Sequence, residues 1–192
     1  MSSIVATPRV DATSIKEKVR FLKRPESYPD GTGRIEVRET HMSWVFLSER
    51  FVYKLKKPVR YDFLDFSTLE ARRQDCEREV SLNRRLAKDI YLGTVALRRN
   101  ESGTLTLDGE GTVIDWLVKM RRLPSQCMLD ATILNNTVTR GDVLRFCSVL
   151  TAFYKHTAAK VRMKPEVYRR RFELDILSNA RELARPEFEL SR

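Results

Sequence analysis

The sequence predicts an α+β protein in which a small antiparallel sheet comes first and helices follow. Three observations carry that prediction. Short runs rich in β-branched and aromatic residues recur between residues 41 and 120. One long helical pattern interrupts them near residues 67–86, and beyond "MRRLP" at 120–124 every periodic segment is helical. Strands and helices segregated along a chain in this way belong to the α+β class, with a lobe boundary near Pro124. The 192 residues thus divide into an N-terminal tail with a short helix (1–39), a sheet-bearing part (40–124) and a helical part (125–192).

Residues 1–13 are small, polar and unpatterned and read as a loose tail. Ile15, Val19 and Leu22 recur at i, i+4 and i+7, predicting a short amphipathic helix before the breaker run "RPESYPDGTG". "GTG" at 31–33 lacks a following Gly-Lys-Ser/Thr and reads as a turn rather than a phosphate loop. "MSWVFL" and "FVYKLKK", separated by "SER", form a hairpin; "YLGTVALRR" and "TLTLDGEGTVIDWLVKM" add two or three strands around the turn "DGEG". That makes about five strands with one long helix inserted. The helix is expected to open on a capping box, Ser67 with Glu70, and to run to Leu86. Helical patterns follow near 126–134, at 139–159 with Val143, Phe146, Leu150 and Phe153 on one face, and at 165–183.

Hydrophobic residues are 42% of the chain and charged residues 32%, enough apolar material for a core beneath a charged surface. Lysine and arginine number 36 against 26 acids, a net +10. The excess suits phosphate-bearing partners (nucleic acid, nucleotides or anionic lipid), or serves only to keep the chain dispersed. Cys76, Cys127 and Cys147 are odd in number and form no C-x-x-C pair, as expected of reduced thiols in a cytosolic protein. The N-terminus has no apolar core of signal-peptide length, and no window approaches the ~20 apolar residues of a membrane span. A cytoplasmic protein without a membrane partner is expected.

In an extended "FVYKLKK" run, Phe51, Tyr53 and Leu55 face one way and Val52, Lys54 and Lys56 the other. An apolar residue and a lysine spaced as Val52 and Lys54 suit the base and a phosphate of one nucleotide. On the helix, with Glu79 at zero and about 100° per residue, Leu86, Asn83, Cys76 and Leu82 fall on the same side and Glu77 on the opposite one. Glu79 is therefore the glutamate of the packed face. A carboxylate there needs a cation or costs several kcal/mol to desolvate. Lys54 is the nearest candidate by topology; Arg72, Arg85 and water are the alternatives.

Residues 40–124, through "VYKLKKPV", "FLDFSTLE", "LNRRLA" and "KMRRLP", resemble the N-terminal lobe of the aminoglycoside phosphotransferase-like family, which has the protein-kinase-like fold. The closest branch is a bacterial one often fused to a P-loop ATP-binding domain. The resemblance implies a kinase-like N-lobe, a sheet of about five strands with one long helix, followed by a partial helical C-lobe. It implies ATP or GTP with Mg²⁺ as cofactor. Lys54 would touch the α- and β-phosphates, Glu79 would be its helix partner and Val52 part of the adenine ceiling. Met120, Arg121, Arg122 and Leu123 would form the hinge whose backbone meets the adenine edge.

The sequence also departs from that family. The "FLSERF" turn has no glycine to cover phosphates. His41 is followed by Met-Ser and His156 by Thr-Ala, so neither begins the His-Gly-Asp loop that carries the substrate-positioning aspartate, and no later metal-binding Asp motif follows. No catalytic residue is therefore assigned within this chain, which reads as a nucleotide-binding half of a phosphotransferase. Its expected partners are a nucleotide, an unspecified small-molecule acceptor, and a missing C-terminal lobe or P-loop domain.

Two lone histidines and three scattered cysteines have no metal-ligand spacing. The arginine runs "YRRRFELD", "KMRR" and "ALRRNE" suit nucleic acid but lie on separate elements, and the first balances Arg with Glu at helical spacing. A non-catalytic basic module for nucleic acid or a partner subunit is the alternative reading.

Overall fold

The computed structural model describes residues 14–29, 31, 33–61, 64–157 and 163–186. The tail expected over residues 1–13 lies outside the described residues. The architecture is mixed α+β, in two compact units that divide between Val138 and Thr139. The first unit thus continues past Pro124, where the sequence pattern places the boundary.

The first unit opens with helix α1 (Ile15–Leu22), capped by the Ser14 hydroxyl, which accepts from the Glu17 amide. Strands β1 (Glu36–Glu39), β2 (Ser43–Leu47) and β3 (Phe51–Lys56) follow as a meander. Two-residue strands β4 (Arg60–Tyr61) and β5 (Leu64–Asp65) pair with each other and lead into helix α2 (Leu69–Ala87). Strands β6 (Tyr91–Arg99), β7 (Leu105–Leu107) and β8 (Thr112–Arg121) complete a six-stranded sheet of order β1-β2-β3-β8-β6-β7, antiparallel throughout. A short helix, α3 (Leu129–Leu134), lies near the end of this unit.

The alternation expected of residues 51–56 is observed. Tyr53 and Leu55 join Phe46, Leu97 and Leu117 in a core closed by Val19 and Leu22 of α1. Val118, one residue on from Leu117, faces the other way and packs on Cys76 and Val80 of α2. The sheet is therefore covered on one face by α1 and on the other by α2. Asp115 lies just beyond the last β3–β8 pair, Leu55 with Leu117, and both helices reach it. Its carboxylate accepts from Lys18 Nζ of α1 at 2.8 Å and from Arg72 Nε of α2 at 2.7 Å, and all three side chains are at most 7% exposed.

The structure corrects four expectations. Thr68, not Ser67, caps α2, accepting from the Ala71 amide. The Ser67 hydroxyl is already committed to Asp65, and Glu70 is drawn to Arg73 and Gln74 instead of closing a box. Leu82 and Leu86 are half exposed rather than packed. The buried residues of α2 are Arg72, Cys76 and Val80, a stripe centred about 60° from Glu79 on the side away from Leu82. The sheet also has a sixth strand, β1, whose "EVRE" sequence carries little apolar alternation because it is a charged edge.

Arg84 fastens the far end of α2. The β6–β8 register shifts between Tyr91 and Gly93, and Arg84 donates to the carbonyls of Tyr91 and Leu92 at 2.7 and 2.5 Å, satisfying groups that the irregular ladder leaves over.

Cys76 is fully buried, its thiol donating to the Trp116 carbonyl at 3.8 Å, and burial pushes its pKa up to about 12. Cys127 and Cys147 are exposed. Thiol titration of the native chain is expected to consume Cys127 and Cys147 quickly and Cys76 only on unfolding. A fast reaction at Cys76 would contradict its burial.

The second unit contains α4 (Arg140–His156) and α5 (Pro165–Leu183). Thr139 and Asp142 form a reciprocal capping box at the start of α4, and the Thr139 hydrogen bond is the main reason the Asp142 carboxyl falls to about 2. Val143 and Phe146, expected on one apolar face, are about half exposed. Among the described residues no helix is long and apolar enough to cross a membrane.

Candidate functional site

Two periodicities bring four charged side chains together on the α2 side of the sheet. Lys54 and Lys56 share a face of β3 because strand side chains alternate, and Asp75 and Glu79 stand one helical turn apart on α2. Lys54 Nζ donates to both oxygens of Glu79, at 2.9 Å to Oε1 and 3.2 Å to Oε2. Lys56 Nζ donates to Glu79 Oε2 at 2.6 Å and pairs with Asp75 Oδ2 at 2.7 Å.

Of the partners open to Glu79, the structure selects Lys54 and adds Lys56; Arg72 is committed to Asp115. The Lys56–Asp75 pair was missed by sequence reasoning, although strand parity and helical spacing both signalled it. Burial alone would raise the Glu79 pKa, yet the hydrogen bonds from Lys56 and Lys54 outweigh it and hold the carboxyl below its usual range. Burial likewise works against charged Lys56, but hydrogen bonds to Asp75 and Glu79 leave its pKa raised. Both shifts favour the charged forms of Glu79 and Lys56.

Val52 lies two residues before Lys54, paired with Leu47 on one side and Met120 on the other. Met120 packs toward Val118 and α2. Met120 and Arg121, expected in a connector, are the last two residues of β8. The Arg121 amide donates to the Ile90 carbonyl at 2.8 Å, and the Arg122 amide to the Arg50 carbonyl at 2.9 Å. The Arg122 guanidinium donates to the Ser48 carbonyl at 2.7 Å and to Glu36 Oε2 at 3.1 Å, tying this segment to the β2–β3 turn and to β1. Leu123 lies beyond the ladder and is half exposed.

The glycine-free β2–β3 turn is closed by its own hydrogen bonds. The Ser48 amide and hydroxyl donate to the Phe51 carbonyl, at 2.9 and 3.1 Å, and the hydroxyl accepts from the Phe51 amide at 3.0 Å.

What the cluster can do chemically follows from exposure. Lys56 has a side chain 4% exposed, whereas that of Lys54 is 30% exposed. An ammonium carries three donors, so Lys54 has one left after meeting Glu79. That donor can meet an anionic oxygen, and Val52 lies on the same strand two residues earlier. Among the described residues no group of three or more His, Cys, Asp or Glu is placed to hold a metal ion.

The chain is 36% identical over 121 residues to proteins described as uncharacterized from Mycobacterium bovis and from two strains of Mycobacterium tuberculosis. The match takes in 63% of this chain and 22% of each relative, so the chain spans about a fifth of the length of the curated relatives it matches. No family model matches the sequence, and no solved structure matches it.

Proposed function

We propose that the first unit is the nucleotide-binding lobe of a kinase-like phosphotransferase of the aminoglycoside phosphotransferase-like family. Lys54 holds the nucleotide phosphates, Glu79 orients Lys54, and Val52 lies against the base. The amides of Arg121 and Arg122 are already engaged by the carbonyls of Ile90 and Arg50, so Leu123 is the residue assigned to the base edge. One observation carries the reading: a strand lysine is held by a largely buried helix glutamate while its own side chain stays 30% exposed. That is the lysine–glutamate arrangement kinases use to position phosphates.

Magnesium enters as the ion that accompanies the nucleotide, and no residue of this chain is assigned to it. ATP or GTP supplies the phosphoryl group when bound. Transfer to a small-molecule acceptor belongs to the whole protein, and its acceptor-positioning aspartate is not among the residues assigned here. The chain by itself should bind nucleotide without turnover.

Calorimetry of Mg-ATP with the native chain and with Lys54→Ala, at two salt concentrations, tests this reading. Binding by the native chain that weakens at least about tenfold in the variant is expected, since a lost charged hydrogen bond is worth about 1.5–3 kcal/mol. Equal affinity in both proteins, or none in the native chain, overturns it.

A second reading, a non-catalytic basic module, is favoured by the groove between α1 and β2. There Ile15, Val19 and Trp44 floor a groove rimmed by Lys16, Arg20 and Lys23, and Lys23 and Lys57 sit 5.9 and 5.5 Å from the Trp44 ring centre. Aromatic and basic groups so mixed suit single-stranded nucleic acid. Affinity for an oligonucleotide that falls steeply with salt and ignores Mg-ATP would select this reading.

A further inference from the structure

Glu79 receives two lysines where one would neutralise it, and the two are not equivalent. Lys56 is enclosed: its ammonium lies between Asp75 at 2.7 Å and Glu79 at 2.6 Å and sits 5.2 Å from the centre of the Phe66 ring. Lys54 makes both its carboxylate contacts to Glu79 and is the more open of the two. We propose that Lys56 and Asp75 form a fixed brace that keeps Glu79 compensated, leaving Lys54 as the exchangeable cation that can pass to an anionic phosphate.

The reason is electrostatic. If Lys54 were the sole partner of Glu79, any ligand drawing it away would leave a largely buried carboxylate without a counter-charge. With Lys56 in place, that carboxylate keeps a cation at 2.6 Å whatever Lys54 does. Asp75 in turn holds Lys56, so the brace has its own anchor on α2, one turn before Glu79. Lys56 is thus a positioning residue, acting through Glu79 on Lys54. The phosphate role of Lys54 rests on the function proposed above; the asymmetry of the two lysines does not.

The test is a cycle read at the Glu79 carboxyl by ¹³C NMR titration. Besides Lys54, Lys56 and Asp75, the titratable groups facing Glu79 are Cys76 of α2 and Tyr91 of β6, both of which its charge pushes upward and neither of which titrates near a carboxylate. In the native background, Lys54→Ala is expected to leave Glu79 titrating below the ordinary carboxylate range. In a Lys56→Met/Asp75→Asn background, which removes a cation and an anion together so that the fold is kept, the same Lys54→Ala change should raise the titration by about one pH unit or more. Equal effects in the two backgrounds overturn the brace.

A second arm measures Mg-ATP binding. The Lys56→Met/Asp75→Asn chain retains Lys54 and is expected to bind about tenfold more weakly than the native chain, because Lys54 can no longer leave Glu79 freely. Unchanged affinity overturns the transfer of Lys54 to phosphate. Absence of binding by the native chain overturns the nucleotide reading alone, and the carboxyl cycle still decides the brace.

Discussion

Replacing Asp115 with alanine is expected to lower the stability of the first unit by about 3–5 kcal/mol, the range for removing one partner of a buried ion pair. The carboxylate is 1% exposed and meets Lys18 and Arg72, whose side chains are 7% and 6% exposed. It also accepts from the Trp116 amide at 3.0 Å. Alanine strands two buried cations together, in a chain that already has 10 more cations than anions. Part of the cost is relieved because Lys18 also donates to the Ile114 carbonyl at 2.9 Å, and Arg72 to that of Phe66 at 2.9 Å. Urea unfolding monitored by far-UV circular dichroism measures the change. A loss under about 1 kcal/mol would mean that these cations reach water, and that the carboxylate does not join the helices.

Gly111→Ala is the other large effect. Gly111 precedes β8 in the turn after β7 and has φ of +112°. A Cβ built there would stand 2.2 Å from the carbonyl oxygen of Arg99 and 2.6 Å from its carbon. The obstacle is backbone held in the ladder, because Arg99 pairs with Thr112 at the end of the β6–β8 ribbon. The expected loss is about 2–4 kcal/mol, combining left-handed strain with a clash that no side-chain rotation can relieve. Gly103→Ala supplies the comparison: its φ is +85°, and nothing lies within 4 Å of the added carbon. That substitution should cost only about 1 kcal/mol. Equal losses at the two positions would rule out the contact with Arg99 as the cause. Both values are readable from urea midpoints.

The elements legible in the sequence were those with a strong local period. Val19 and Leu22 on α1, Tyr53 and Leu55 on β3, and Glu79 on the protected side of α2 follow from alternation or helical spacing; setting the two patterns side by side makes Lys54 the nearest candidate for Glu79 but leaves Arg72, Arg85 and water open. Long-range polar contacts were not legible. Lys18 and Arg72 lie 97 and 43 residues from Asp115, and only the insertion of β8 between β3 and β6 brings them to one carboxylate. Hydrophobicity misled at Leu82 and Leu86, because a helical wheel locates an apolar stripe without saying how much of it the sheet covers. Thr68 displaced Ser67 as the cap for a local reason, the neighbouring Asp65, that the spacing of Ser67 and Glu70 does not record.

Helix α2 is pinned at two places, by Arg72 to the Asp115 carboxylate and by Arg84 to the carbonyls of Tyr91 and Leu92. Between those points lie Asp75 and Glu79. In terms of conformational populations, an arrangement with α2 swung away from β3 would have to give up both attachments and the two lysine contacts at once. It therefore sits well above the assembled state, and the assembled state is the resting one. A ligand that engages Lys54 spends little of its affinity on moving α2, and what it has to displace is the contact of Lys54 with Glu79. Any control of this site by helix movement must first loosen Arg72 or Arg84, two residues that lie outside the four-charge cluster.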